Sequence, residues 1–112
     1  MANRPITITG INPADNSLIL SDNGTTVANP GDTVTWLIGQ NSGVASITGI
    51  TDNSTPTDVF NPDPAPVASS SNWQGTINPG INAATEEYYT INYTKTSTEG
   101  SFKFDPKIQV NP

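Results

Sequence analysis

The side chains that could do chemistry here are carboxylates, hydroxyls and aromatic rings, because the chain has no histidine and no cysteine. Those absences remove the commonest general base, imidazole and thiolate metal ligands, and the nucleophilic thiol. The one methionine is Met1. No transition-metal site and no bound cofactor is therefore expected. Ten acidic residues stand against four basic ones, Arg4, Lys95, Lys103 and Lys107, for a formal net charge of −6. Catalysis would have to run on carboxylates. Glu86 and Glu87 are adjacent in a strand-like segment, so they point to opposite faces and cannot form a glycosidase-like pair. Asp52, Asp58 and Asp63, with Asn53 and Asn61, offer hard oxygen donors that suit calcium. Their spacing follows no calcium loop, and solvated turn residues account for them equally well.

The aromatic residues divide by their neighbours. Trp36 shares a strand face with Val34 and Ile38, which reads as core. Trp73 lies between Asn72 and Gln74, and a Trp in a polar setting can be a stacking platform. Tyr88 lies on the opposite strand face from Tyr89 and Tyr93. Phe60 is followed by Asn61 and Pro62; it is either an exposed contact or, with Val59, a cover for the end of the fold. Phe60, Trp73 and Tyr88 are the candidate ligand or partner contacts. No catalytic, cofactor-binding or metal-binding residue is assigned.

The elements that must position these residues are strands. Apolar residues recur with period two, not 3.6, and Gly, Pro, Asn and Asp punctuate them. Strands are predicted at 6–9, 17–20, 25–27, 33–38, 44–50, 72–77, 86–94, 101–104 and 107–110, and the short 25–27 segment suits an edge. The strongest is 86–94, with Tyr89, Ile91 and Tyr93 on one face and Tyr88, Thr90, Asn92 and Thr94 on the other. Val34, Trp36, Ile38, Tyr89, Ile91 and Phe104 should share one core. Residues 51–71 carry Pro56, Pro62, Pro64 and Pro66 and read as a long loop, either functional or a cover. Its Pro62-Asp63-Pro64-Ala65-Pro66 run suits a rigid surface segment or a partner-binding one. Seven to nine short strands in 112 residues predict a single all-β domain spanning 1–112, an antiparallel Greek-key β-sandwich.

The order of several motifs resembles the cupredoxin-like family. Pro30-Gly31-Asp32-Thr33-Val34-Thr35-Trp36 is similar to that family's Gly-Asp-x-Val-x-Trp strand. Trp73-Gln74-Gly75-Thr76-Ile77-Asn78-Pro79-Gly80 resembles the segment that precedes the copper loop. Tyr89-Thr90-Ile91-Asn92-Tyr93 resembles the strand leading into that loop, and Asp105-Pro106-Lys107-Ile108-Gln109-Val110 the closing strand. The likeness runs in order over residues 17–112. It implies a cupredoxin-like sandwich and a core-facing Trp73, with an immunoglobulin-like arrangement as the alternative. The family's copper ligands, two histidines, a cysteine and a soft axial group, would fall near 44–47 and between 94 and 100. This chain has none of them, so copper electron transfer does not carry over.

The leading expectation is a non-enzymatic binding or structural module, metal-free and acidic, with an unidentified protein or small-molecule partner. The alternative is small-molecule or carbohydrate binding through Trp73 or Tyr88, and behind it a carboxylate-dependent enzyme. A concave pocket would favour the last two, a flat exposed surface the first. An acidic chain lacking a basic cluster is not expected to bind nucleic acid or an anionic membrane. No apolar run has spanning length and no apolar leader is visible at the start. The expected location is cytoplasmic, with a trimmed secreted protein as the alternative.

Overall fold

Alternating apolar and short polar residues make strands whose two faces differ, and such strands stack into two layers with their apolar faces inward. The computed structural model describes residues 3–22, 24–52, 59–61, 63–67, 71–96 and 99–112. In chain order the strands are β1 (Asn3–Ile11), β2 (Leu18–Leu20), β3 (Thr25–Ala28), β4 (Thr33–Ile38), β5 (Val44–Asp52), β6 (Ala65–Pro66), β7 (Trp73–Thr76), β8 (Thr85–Lys95), β9 (Ser101–Phe104) and β10 (Lys107–Val110). They form two sheets, ordered β2-β1-β4-β7-β6 and β3-β10-β8-β5, with β9 also paired to β8. The fold is the expected all-β sandwich.

Two details refine that expectation. β6 is a two-residue strand inside the proline-rich 51–71 segment. The pairs β1–β4 and β3–β10 run parallel while the others are antiparallel, so the sheets are mixed and not antiparallel throughout. Parallel neighbours need a crossover, and here the chain makes it by visiting the other sheet: β2 and β3 lie between β1 and β4, in different layers. β9 and β10 follow one register along β8, with Phe104 opposite Ile91 and Lys107 opposite Tyr88. They act as one strand kinked at Asp105-Pro106, and the Tyr89 amide bridges the kink by donating to the Pro106 carbonyl at 3.0 Å.

The core lies between the sheets. Val34, Trp36, Tyr89 and Ile91 are fully buried there, and Ile38 and Phe104 pack against it partly buried. At its centre Trp36, Phe60 and Tyr89 meet with ring centroids 5.7–5.8 Å apart, within the range of favourable tilted and edge-to-face contacts. Both polar tips find partners: Trp36 Nε1–H donates to the Tyr89 hydroxyl at 3.1 Å, and Thr26 hydrogen-bonds the same hydroxyl. Thr26 in turn donates to the Asp22 carboxylate. Burial pushes the Tyr89 hydroxyl well above its ordinary pKa, and the Asp22 charge adds to this; the Trp36 and Thr26 hydrogen bonds pull the other way. A second polar anchor ties β1 to the turn before β4. Arg4 Nε donates to buried Asp32 at 2.8 Å, the Asn29 amide donates to the same carboxylate oxygen at 2.9 Å, and the Arg4 guanidinium also reaches the Asn29 side-chain oxygen.

Candidate functional site

The three candidate contact residues occupy three different environments. Phe60 has no exposed surface. It bridges to Ile77 beside β7, and Gly75 makes room for it: a Cβ there would lie 3.3 Å from the Phe60 ring and 3.2 Å from Pro64. With Val59 also fully buried, this part of the 51–71 excursion is a cover over the core. Phe60 as an exposed contact is thereby corrected. The polar residues that follow it in sequence lie outside, while the ring fills the space that Gly75 leaves. The acidic residues grouped around this segment reach outside the described residues: Asn53 and Asp58 lie there, as does the Asp52 side chain. Among the described residues no three His, Cys, Asp or Glu side chains gather into a set that could hold a metal ion, and no helix is long and apolar enough to cross a membrane.

Trp73 is half-buried on the same face as Trp36, its cross-strand neighbour. Its indole N–H donates to the Ile47 carbonyl at 3.2 Å. Because Ile47 belongs to β5 in the opposite sheet, this bond ties the two layers together. The polar handle that would orient a stacked ligand is already used inside the protein.

Tyr88 is 59% exposed. Alternation places it on the outer face of β8, back to back with buried Tyr89. Lys107 stands across from it on β10, and Thr25 stands across from Lys107 on β3. The next row along the sheet is Glu86, Gln109 and Val27. Gln109 donates to Glu86 at 3.0 Å and Lys107 lies 3.8 Å from the same carboxylate. These side chains stand side by side on the outer face of the sheet.

The two segments at which the resemblance would seat copper ligands are neighbours in space. Ser46 pairs with Thr94, and Ile47 with Tyr93. Two hydroxyls, Ser46 Oγ and Thr94 Oγ1, share a hydrogen bond of 2.8 Å there. Lys95 reaches the Asn16 side-chain oxygen, Tyr93 donates its hydroxyl to the Asn16 carbonyl, and the Lys95 ammonium lies 4.3 Å from the Phe102 ring centroid. Burial, then the nearby Asp15 charge, raises the Tyr93 pKa. Hydroxyls, a lysine and an aromatic ring thus knit this end of the sandwich shut. The Lys95–Asn16 contact joins residues far apart in sequence, and no local pattern announces it.

No family model matches the chain, and no curated protein matches it. Among solved structures it is similar to a cysteine protease inhibitor from Entamoeba histolytica, at 17% identity over 98% of this chain and 94% of that one, with a TM-score of 0.44. A likeness so distant supports no statement about what this chain does.

Sequence reasoning also missed two exposed aliphatic residues. Ile19 on β2 and Val27 on β3 are 50% and 51% exposed. They occupy two edge strands that follow one another in the chain, one in each sheet. The readable signal was the short Thr25-Thr26-Val27 segment, whose length suits an edge but whose outward residue cannot be told from its inward ones by composition.

Proposed function

We propose that this chain is a non-enzymatic recognition module, a copper-free relative of cupredoxin-like sandwiches, that meets a partner protein through the outer face of β3, β10 and β8. The observation that carries this reading is the contrast among the candidate aromatics: Phe60 is consumed by the core, Trp73 is tied to Ile47, and Tyr88 alone is well exposed, on the outer face of the β3-β10-β8 sheet. Flat patches with an exposed aromatic suit macromolecular surfaces, whereas small-ligand sites are concave. The cupredoxin-like part of the reading is supported by the pairing of Val44 with Lys95 and Ser46 with Thr94, which sets the start of the 94–100 stretch beside the 44–47 stretch, the two places where the resemblance expects ligands.

The test is affinity capture from the source cells with immobilised wild type and Tyr88→Ala, read by quantitative mass spectrometry. The reading expects one protein retained by wild type and reduced roughly tenfold or more by the variant, as for an aromatic hot spot. If no protein distinguishes the two, the reading is overturned. If a saccharide panel instead binds in a Tyr88-dependent way, carbohydrate recognition replaces it.

A further inference from the structure

A sandwich has four sheet edges, and each exposes unpaired backbone groups unless something blunts it. Here β9, paired only on its β8 side, adds a fifth free strand side, and it carries the charged Lys103; of the other four, three are blunted. β6 has only two residues and one is Pro66, which has no N–H to offer. β5 carries two bulges, between Val44 and Ser46 and between Ile47 and Gly49, which bend an edge away from a would-be partner; its Ile47 carbonyl also takes the Trp73 indole. β2 is only three residues long. β3, at four residues, is little longer than β2, but it carries no bulge, proline or charged side chain. It pairs with β10 without a register shift.

The polarity of the β3 edge follows from its ladder. The carbonyls of Gly24 and Ala28 accept from Lys107 and Asn111 on the β10 side. Backbone groups alternate along a strand, so Thr26 also faces β10, while Thr25 and Val27 direct their backbone groups the other way. The Thr25 amide is turned back to the Asp22 carbonyl at 3.3 Å. This leaves the Thr25 carbonyl and both backbone groups of Val27 at the open edge, beside an exposed Val27 side chain.

We propose that β3 is an acceptor edge for an extended segment of a partner, added as a further strand, and that the segment is basic and β-branched. This rests on the partner-recognition reading above but not on Tyr88 itself. A strand is the occupant that satisfies an N–H and C=O row, and an apolar residue in it would pack on Val27. The charge comes from the chain: no Lys or Arg occurs between Arg4 and Lys95. Arg4 is paired with Asp32 and Lys107 with Glu86. Near the start of β3, Asp22 has no cation partner among the described residues. An incoming acidic strand would be repelled, and a basic one attracted.

The test titrates isotope-labelled protein, followed by amide NMR, with three capped peptides: Lys-Val-Thr-Val-Thr-Val-Lys, the same peptide with Glu at both ends, and the Lys peptide N-methylated at alternate residues. The proposal expects shifts concentrated at Thr25, Thr26, Val27 and Ala28. At low salt the Lys peptide should bind roughly tenfold or more tightly than the Glu peptide, a preference that shrinks as salt is added. N-methylation in the bonding register should cost roughly tenfold or more, because it removes the edge hydrogen bonds. Val27→Pro should abolish binding while β3 stays paired to β10, since the lost N–H points outward; the N-methyl series decides the matter even if that variant does not fold. Shifts confined to the Tyr88 face, equal affinity for the Lys and Glu peptides, or unimpaired binding of the N-methylated peptide would overturn the proposal. So would a dimer of the free protein paired through β3, which would make a second copy the occupant. Failure here with a Tyr88-dependent partner still captured removes the edge and leaves the face.

Discussion

The two long sides of this sandwich are closed by different means. On the side of β5, β6 and β7, two sheets are stitched together by an indole–carbonyl bond from Trp73 to Ile47, roofed by Val59, Phe60 and Pro64, and edged by bulges and proline. On the side of β2 and β3, the chain passes directly from one sheet to the other, and Ile19 and Val27 remain half exposed. The described part of the more individual stretch of sequence, the proline-rich 51–71 excursion, thus serves the core through Val59, Phe60 and Pro64. The plainer stretch, Thr25-Thr26-Val27-Ala28, is the one that presents unpaired backbone and apolar surface.

The sharpest way to break the comparison is to remove the roof. Replacing residues 55–66 with a short Gly-Ser linker deletes Val59, Phe60 and Pro64 and should abolish cooperative unfolding. The milder Phe60→Ala should cost about 3–5 kcal/mol in denaturant unfolding, the range for emptying a packed aromatic site. A fold that survives either change unaltered would mean that the excursion is no cover. Next in size is Asp32→Ala, which leaves the Arg4 guanidinium and the Asn29 amide without their shared acceptor; about 1–3 kcal/mol is expected.

The core hydroxyl gives a pH signature. Tyr89 has an ordinary value of 10.0 that burial raises, so above about pH 10 the unfolded chain releases this proton and the folded chain keeps it. With more protons bound in the native state, stability falls as pH rises, by up to about 1.4 kcal/mol per pH unit for one group. The loss should set in from about pH 10 upward, and Tyr89→Phe should flatten that slope. Urea titrations at several alkaline pH values check this, and an equal slope in wild type and variant would contradict it. The smallest effects belong to the open side: Val27→Thr and Tyr88→Thr should each change stability by no more than about 0.5 kcal/mol.

Much of this was legible in the sequence because period two assigns faces. It separated Tyr89, Ile91 and Tyr93 from Tyr88, Thr90, Asn92 and Thr94, and the structure buries the first set. It also located β4, β9 and β10 to the residue. Alternation says which way a residue points but not which strand lies beside it, so the parallel β1–β4 and β3–β10 pairs were hidden. β6 was hidden because two residues carry no period. Phe60 was ambiguous because its burial depends on a space left by Gly75, fifteen positions away. Trp73 looked polar from its neighbours, and only the likeness to cupredoxin-like strands pointed it inward.

Which side of the molecule offers surface to a partner can be measured directly, because the chain has no cysteine. Single variants Val27→Cys, Tyr88→Cys and Phe60→Cys can be treated with a thiol reagent under native conditions, each rate being compared with that of the unfolded variant. The thiols at positions 27 and 88 should react nearly as fast as in the unfolded chain, and the thiol at position 60 slower by orders of magnitude, through opening of the fold. Fast labelling at position 60 in a folded protein, or protection at 27 and 88 in the isolated monomer, would contradict this.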